Sequence, residues 1–215
     1  MTRVKICGVS DPIDAGRVAD LGAWALGMIF WPSSPRVCSL DTAEAIGAEL
    51  QRRLELVGVF VNASLDEVAY TADRCNLTVV QLHGDEGPAY CREVARRTGA
   101  KVMKAVRVRD AAQLNDLQRF STDFHLLDSH SPDAPGGTGE SFDWELARRH
   151  PRTPPMVLSG GLNSDNVGTA IETARPFAVD VASGTEAAPG RKDPEKLTAF
   201  VGAVEAADER LGAVA

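Results

Sequence analysis

Two kinds of segment alternate eight times along this chain. Short apolar runs, typical of buried parallel strands, are each followed by a stretch with the apolar spacing of a helix. Residues 25–30 (ALGMIF) are one such run, and Ser10-Asp11-Pro12 is the start signal of one such helix. Eight strand–helix units in 215 residues average about 27 residues each. This pattern predicts the α/β class and a single compact (β/α)8 TIM barrel, with its active site at the C-terminal ends of the strands.

An open, doubly wound parallel sheet is the competing architecture for the same alternation. Its first turn between strand and helix should carry the pattern GxGxxG, but here that turn reads Gly8-Val9-Ser10-Asp11. No linker rich in Pro, Gly or Ser and no shift in composition divides the chain. We therefore expect one barrel domain spanning residues 1–215.

Composition narrows the class of protein. Hydrophobic residues make up 44% and charged residues 25%, as in an ordinary globular domain, and the net charge of -7 disfavours nucleic acid and anionic membranes as partners. The four cysteines match neither a zinc motif nor a dense disulfide framework. The N-terminus has no signal-peptide core, and no apolar run reaches the length of a membrane span. These features predict a cytoplasmic protein with reduced thiols that binds neither nucleic acid nor membrane.

Polar side chains collect where the predicted strands end. Strand ends packed against helices have no packing reason to gather such residues, whereas a barrel places its chemistry there. The residues at or just after these ends are Cys7, Arg36, Asn62, Gln81, His83, Lys104 to Arg107, Asp128, Ser159 to Gly161, Asp180, Ser183 and Gly184.

Cys7 and Asp128 are the candidate catalytic residues. Strand alternation sends Arg3, Lys5 and Cys7 to one face of the first strand, opposite its apolar residues. Asp128 closes an otherwise apolar strand, and an apolar surrounding raises a carboxylic pKa, so it is a candidate general acid. Cys7 can act as a base only as a thiolate, and Lys5 on the same strand face could favour that ionised form. The alternatives are an inert buried thiol and a carboxylate that merely caps its strand.

Two glycine turns form a predicted phosphate site. Gly160 and Gly161 follow the seventh strand, and Ser183 and Gly184 follow the eighth. Without bulky side chains, the backbone N–H groups there can approach an anion, and barrels frequently bind phosphate after these two strands. The alternative is that both are simply tight turns.

Four further residues are predicted to bind substrate: Arg36, Gln81, His83 and Asp180. Arg36 lies on a proline-stiffened loop, and its planar guanidinium can bind a carboxylate through two hydrogen bonds. The alternative is that Arg36 is simply exposed to solvent. Gln81 and His83 share a strand face, so they either line a pocket or fill the barrel interior with mutual hydrogen bonds. Cys38, Cys75 and Cys91 are interpreted as inert buried thiols.

An ordered set of motifs resembles the phosphoribosylanthranilate isomerase family of tryptophan biosynthesis. The match runs in register along nearly the whole chain, and the set is specific although each motif alone is weak. The matching segments are Lys5 to Gly8, Ser34 to Arg36, Gly58 to Asn62, Val80 to Gly84, Leu127-Asp128, Gly136 to Gly139, Phe142 to Trp144, Leu158 to Leu162, Val179 to Val181 and Ser183-Gly184.

The resemblance implies an Amadori rearrangement of N-(5-phosphoribosyl)anthranilate to 1-(2-carboxyphenylamino)-1-deoxyribulose 5-phosphate, without cofactor or metal. It implies that Asp128 protonates the furanose ring oxygen, that Cys7 takes the C2 proton, and that Arg36 partners the anthranilate carboxylate. The glycine turns would hold the phosphate of this small phosphorylated substrate, and the protein would be a monomer or a homodimer. Two departures stand out: Glu140 replaces the lysine of many relatives, and Ala182 replaces a serine.

Two other functions remain as alternatives. A related phosphosugar barrel, such as a ribulose-phosphate epimerase, expects metal-ligating His and Asp at the strand ends. Of the four histidines, only His83 is expected at a strand end facing inward. A non-catalytic phosphate-binding barrel would be expected to lose the acid or the base, and both are present here.

Overall fold

The computed structural model describes residues 1–108, 110–128 and 144–213. Eight parallel strands close into a barrel in chain order, from β1 beside β2 to β8 beside β1, which confirms the predicted fold. The strands are β1 Arg3–Cys7, β2 Ala25–Ile29, β3 Glu55–Phe60, β4 Val79–Leu82, β5 Lys101–Arg107, β6 Phe124–Asp128, β7 Met156–Ser159 and β8 Ala178–Val181.

Helices follow the strands, as the apolar spacing predicted. Several begin at a polar cap: the Asp11 carboxylate accepts from two backbone N–H groups of the first helical turn, and Ser39 and Ser64 each accept from one. None of the helices in the described ranges is both long and apolar enough to cross a membrane. The helices are α1 Pro12–Asp20, α2 Leu40–Leu50, α3 Leu65–Arg74, α4 Pro88–Thr98, α5 Ala111–Leu117, α6 Trp144–Ala147, α7 Val167–Ala174 and α8 Pro194–Ala213.

The first strand shows how the two faces of the sheet are used. Val4 and Ile6 join the core between the strands and the surrounding helices, whereas Cys7 belongs to the separate cluster inside the barrel. Lys5 is completely buried on that same interior face. The predicted alternation along this strand is therefore confirmed, because successive side chains of a strand point to opposite faces.

Aromatic rings pack at the N-terminal end of the barrel. Trp24 makes edge contacts with Phe124 and Phe177 at centroid distances of 5.3 Å, and the guanidinium of Arg3 lies over the Phe177 ring. Bulky rings fill this end, which leaves the opposite rim, where the strands terminate, as the place for polar side chains.

A short hairpin after β8 was not predicted. A single 3₁₀ turn, Ser183–Thr185, leads into β9, Glu186–Ala188, which pairs antiparallel with β10, Arg191–Lys192. The hairpin places Glu186 and Lys192, both buried, against the carboxyl ends of β1 and β8. The segment 129–143, which includes the predicted loop motif Gly136 to Gly139 and Glu140, lies outside the described residues.

Candidate active site

Cys7 ends β1 on the interior face, at the rim where the strands terminate. It is 6% exposed, and the next residue, Gly8, has a φ of 73°, which suits glycine. A Cβ on Gly8 would lie 2.7 Å from Cδ of Arg36, so the missing side chain lets that arginine cross beside the cysteine. The thiol is thus held at the barrel mouth rather than in the helix-facing core.

A buried ion pair lies one layer below Cys7. Nζ of Lys5 is 2.7 Å from Oδ1 of Asp180, and Oγ of Ser159 donates to the other carboxylate oxygen at 3.1 Å. Lys5 and Asp180 are direct neighbours in the pairing of β1 with β8. The Asp180 carboxylate is therefore engaged with Lys5 and Ser159, and its predicted substrate contact stays a prediction.

These charges act on the thiol in opposite directions. Burial raises the pKa of Cys7 above its ordinary value, the ammonium of Lys5 offsets part of that rise, and the carboxylate of Asp180 adds to it. Burial by itself would lower the pKa of Lys5, but the Asp180 carboxylate and Cys7 leave that pKa raised, so Lys5 is an ammonium. The electrostatic state of Cys7 depends on this pair.

The hairpin contributes a second buried lysine beside Cys7. Nζ of Lys192 donates to the backbone carbonyl of Cys7 at 2.7 Å and to that of Ala182 at 3.0 Å, and it lies 3.3 Å from Oε1 of Glu186. Burial lowers the pKa of Lys192, and the Glu186 carboxylate opposes that decrease. These bonds tie the ends of β1 and β8 together around the thiol.

Arg36 forms a two-point ion pair with the same glutamate. Nε of Arg36 lies 2.8 Å from Oε1 of Glu186, and Nη2 lies 2.8 Å from Oε2. The pairing uses one edge of the guanidinium fork, which also carries donors on its outer end. The arginine side chain is 23% exposed, so it is not the freely exposed residue of the alternative interpretation. Its contact with a substrate carboxylate stays a prediction.

Gln81, His83 and Asp128 form a chain of hydrogen bonds along the rim. Nε2 of Gln81 lies 2.9 Å from Nδ1 of His83, and Nε2 of His83 lies 3.2 Å from Oδ2 of Asp128. Mutual hydrogen bonding, one of the two predicted alternatives, is therefore observed. Direct contact of either residue with substrate stays a prediction.

The orientation of the Gln81 amide decides which groups donate and which accept in these hydrogen bonds. An amide nitrogen only donates, so in the orientation shown Nδ1 of His83 accepts, and its Nε2–H donates to Asp128. Oε1 of Gln81 is buried and has no hydrogen-bond partner among the described residues. Rotation of the amide by half a turn reverses the hydrogen bonds: Oε1 then accepts from Nδ1–H, and Nε2 of His83 accepts a hydrogen bond from a protonated Asp128 carboxyl.

The two glycine turns lie against one another at the ends of β7 and β8. A Cβ on Gly184 would lie 2.1 Å from the carbonyl oxygen of Leu162, a contact that only glycine permits. Gly160 and Gly161 have φ values of 98° and 63°, and Ser183 is exposed beside them. The structure thus brings together the residues of the predicted phosphate site, whose role stays a prediction.

Three residues near Cys7 were missed by reasoning from sequence. Glu186 and Lys192 follow the last strand in a stretch without regular periodicity, and no sequence signal marks them. Gly27, the pairing partner of Cys7 in β2, does carry a signal, because a glycine inside a strand indicates close approach of another group. Cys38, Cys75 and Cys91 are buried free thiols, as predicted.

Comparison with known proteins assigns the family. Residues 4–203 match the family model described as N-(5'phosphoribosyl)anthranilate (PRA) isomerase. The chain belongs to the phosphoribosylanthranilate isomerase family. An N-(5'-phosphoribosyl)anthranilate isomerase of Citrifermentans bemidjiense is 49% identical over 201 residues, which cover 94% of this chain and 96% of that relative.

Solved structures of phosphoribosylanthranilate isomerases share the barrel. The Thermotoga maritima enzyme superposes with a TM-score of 0.86 at 41% identity, over 96% of this chain and 100% of that one. A second structure, of an isomerase in complex with reduced 1-(o-carboxyphenylamino)-1-deoxyribulose 5-phosphate, has a TM-score of 0.82 at 39% identity, with the same coverage. Fold and family therefore agree over nearly the whole length.

Proposed function

We propose that Asp128 is the general acid and Cys7 the general base of this isomerase. As a member of its family, the chain is an enzyme of tryptophan biosynthesis that converts N-(5'-phosphoribosyl)anthranilate to 1-(2-carboxyphenylamino)-1-deoxyribulose 5-phosphate by an Amadori rearrangement. The proposal rests chiefly on one observation: both residues end strands of the same barrel on the interior face, at the same rim.

The acid step opens the sugar ring. Asp128 donates its proton to the furanose ring oxygen as the bond between that oxygen and C1 breaks, and the anthranilate nitrogen supplies the electron pair for a C=N bond. Asp128 can donate only when protonated, and with the proton on Oδ1 its Oδ2 still accepts from Nε2–H of His83, so this hydrogen bond orients the carboxyl without taking up its proton. The contact between His83 and Asp128 supports this arrangement.

The base step moves the double bond. The thiolate of Cys7 takes the proton from C2, and the electrons of that C–H bond form the C1=C2 bond while the C=N bond becomes an amine. The resulting enol tautomerises to the ketone. The sulfur forms no covalent bond to the sugar, and the net reaction is an isomerisation.

Substrate is held at its two charged ends. We assign the anthranilate carboxylate to the outer end of the Arg36 guanidinium, whose other edge is occupied by Glu186. The phosphate is assigned to the turns at Gly160-Gly161 and Ser183-Gly184, since Gly184 packs against Leu162, the residue after the first turn. Two such anchors would place the sugar across the barrel mouth, between Cys7 and Asp128.

Loss of substrate fluorescence with purified protein tests the activity. Conversion no faster than the spontaneous rate would overturn it. Asp128→Asn and Cys7→Ala should each lower kcat by at least roughly 100-fold while substrate binding persists, because each removes a proton-transfer group. Near-normal kcat in either variant would show that its assigned role is wrong.

The family match removes the two alternative functions, the metal-dependent epimerase and the non-catalytic phosphate-binding barrel. We further propose that the enzyme is cytoplasmic and that it is a monomer or a homodimer. Sedimentation of the purified chain distinguishes the two states.

A further inference from the structure

Gly27 leaves open a small volume that is bordered by two reactive groups. A Cβ on this residue would lie 2.8 Å from Sγ of Cys7 and 3.2 Å from Nζ of Lys5. Gly27 is paired with Cys7 across β1 and β2, and its neighbour Ala25 is paired with Lys5. The ammonium and the thiol therefore share one space inside the barrel, and a larger residue at position 27 would enter it.

We propose that Lys5 is a positioning residue for Cys7, whose ammonium stabilises the thiolate that removes the C2 proton. In this arrangement Asp180 and Ser159 orient Lys5, and Gly27 keeps the space between ammonium and sulfur open. The proposal deepens the proposed function and rests on it, because it explains how the base is supplied within a buried site.

The position of Lys5 suits this role. Its side chain is fully buried, and an ammonium shielded from water acts strongly on a nearby thiolate because the surrounding dielectric is low. The carboxylate of Asp180 holds Nζ at 2.7 Å and is itself fixed by Ser159. When Cys7 ionises, its proton leaves through the rim, and Lys5 faces a carboxylate and a thiolate together.

Two other cations near Cys7 are committed elsewhere. Lys192 donates to the backbone carbonyls of Cys7 and Ala182 and lies beside Glu186. Arg36, packed on Gly8, is paired with the same Glu186. Glu186 offsets one of these two positive charges, and Lys192 also lowers the Cys7 pKa, but neither cation borders the open space beside the sulfur as Lys5 does.

The test is alkylation of the full-length protein by iodoacetamide at a series of pH values, read at each cysteine by peptide mass spectrometry. Lys5→Met should move the midpoint for Cys7 up by about one pH unit or more, because the thiolate loses its partner. Asp180→Asn should move it down, because a negative charge is removed while the ammonium remains. A purely structural role does not predict shifts of opposite sign.

Internal and matched controls accompany these variants. Cys38 and Cys75, whose pKa values burial raises to about 12 and about 11, should keep their midpoints in every variant. Gly27→Ala should raise the Cys7 midpoint, whereas Gly202→Ala should not, because a Cβ there meets nothing within 4 Å. If Lys5→Met fails to fold, the double variant Lys5→Met/Asp180→Asn should still show a midpoint above that of Asp180→Asn alone.

The outcomes separate the two proposals. Unchanged Cys7 midpoints, or shifts of the same sign in Lys5→Met and Asp180→Asn, would overturn the role of Lys5. Alkylation does not require substrate, so opposite shifts would support that role even in a protein that fails to isomerise phosphoribosylanthranilate. In an active enzyme, the acidic limb of kcat against pH should move with the Cys7 midpoint.

Discussion

Arg36 and Glu186 are joined by a forked ion pair across 150 residues of sequence, with Nε 2.8 Å from Oε1 and 3.0 Å from Oε2, and Nη2 2.8 Å from Oε2. The pair links the loop after β2 to the hairpin after β8. It fixes the plane of the guanidinium at the rim, so the orientation of the outer donors is set before substrate arrives.

Glu186→Gln should therefore weaken substrate binding more than it slows the chemistry. The glutamine amide is uncharged and has only one oxygen, so it cannot accept from both Nε and Nη2 of Arg36 as the carboxylate does. We therefore expect KM to rise roughly 10-fold, with kcat changed less than about 3-fold. Steady-state kinetics give both values. Glu172→Gln, which breaks the exposed pair with Arg210, is the control and should leave KM unchanged. A fall in kcat alone would contradict the positioning of Arg36.

The polarity of the Gln81–His83–Asp128 chain can be read directly. We expect the Nε2–H tautomer of His83 at neutral pH in the product-bound enzyme, since this form donates to Oδ2 of Asp128 and leaves the acidic proton on Oδ1. Imidazole ¹⁵N shifts distinguish the two tautomers, and His83→Asn identifies the signals. An Nδ1–H tautomer in that complex would show that His83 accepts the Asp128 proton, which would contradict its delivery to the substrate.

The kinetics of Gln81→Met test the contribution of Gln81 to the same hydrogen bonds. Without an amide to select the tautomer, kcat should fall roughly 10-fold while KM stays within about 3-fold. If Gln81 instead binds substrate, KM rises and kcat is kept.

The histidine pair near the base of the barrel predicts acid sensitivity. Nδ1 of His125 lies 2.9 Å from Nε2 of His150, and both are buried. Burial and the neighbouring His150 lower the pKa of His125 from 6.5 to about 4. The unfolded chain therefore binds a proton that the folded state resists, and stability falls as the pH drops from about 6.5 toward 4.

Urea unfolding at pH 7 and pH 5 measures this loss. The free energy of unfolding should fall by up to about 2 kcal/mol from His125 alone. His125→Phe removes the titrating group and should reduce the difference between the two pH values. An equal difference in the variant would assign the acid sensitivity to other groups.

Contact between the glycine turns predicts the effect of a single methyl group. Gly184→Ala would place a Cβ against the Leu162 carbonyl and separate the turns after β7 and β8. KM and the inhibition constant of inorganic phosphate should both rise, roughly 10-fold, if these turns hold the phosphate. Gly87→Ala is the control, because its Cβ would meet nothing within 4 Å. Unchanged phosphate inhibition would remove these turns from the phosphate site.

Local sequence was enough to predict the fold. The apolar runs and helix caps alternate eight times, and the two-residue period of a strand places Lys5 and Cys7 on one face and Ile6 on the other. Asp128 and the glycine turns were predicted as site residues because barrel chemistry lies at strand ends. All of this depends on neighbours within a few residues.

The ion pairs between distant residues could be identified only from the closed barrel. Lys5 meets Asp180 across 175 residues because β8 returns to pair with β1, and Arg36 meets Glu186 because a hairpin without sequence signal folds onto the rim. The sequence predicts that a buried carboxylate or arginine forms an ion pair or hydrogen bonds, but it does not predict with which residue. The sequence by itself determined the strands, their faces and the polar residues at the strand ends, and the tertiary structure decided which charges lie beside the thiol, since barrel closure sets those distances.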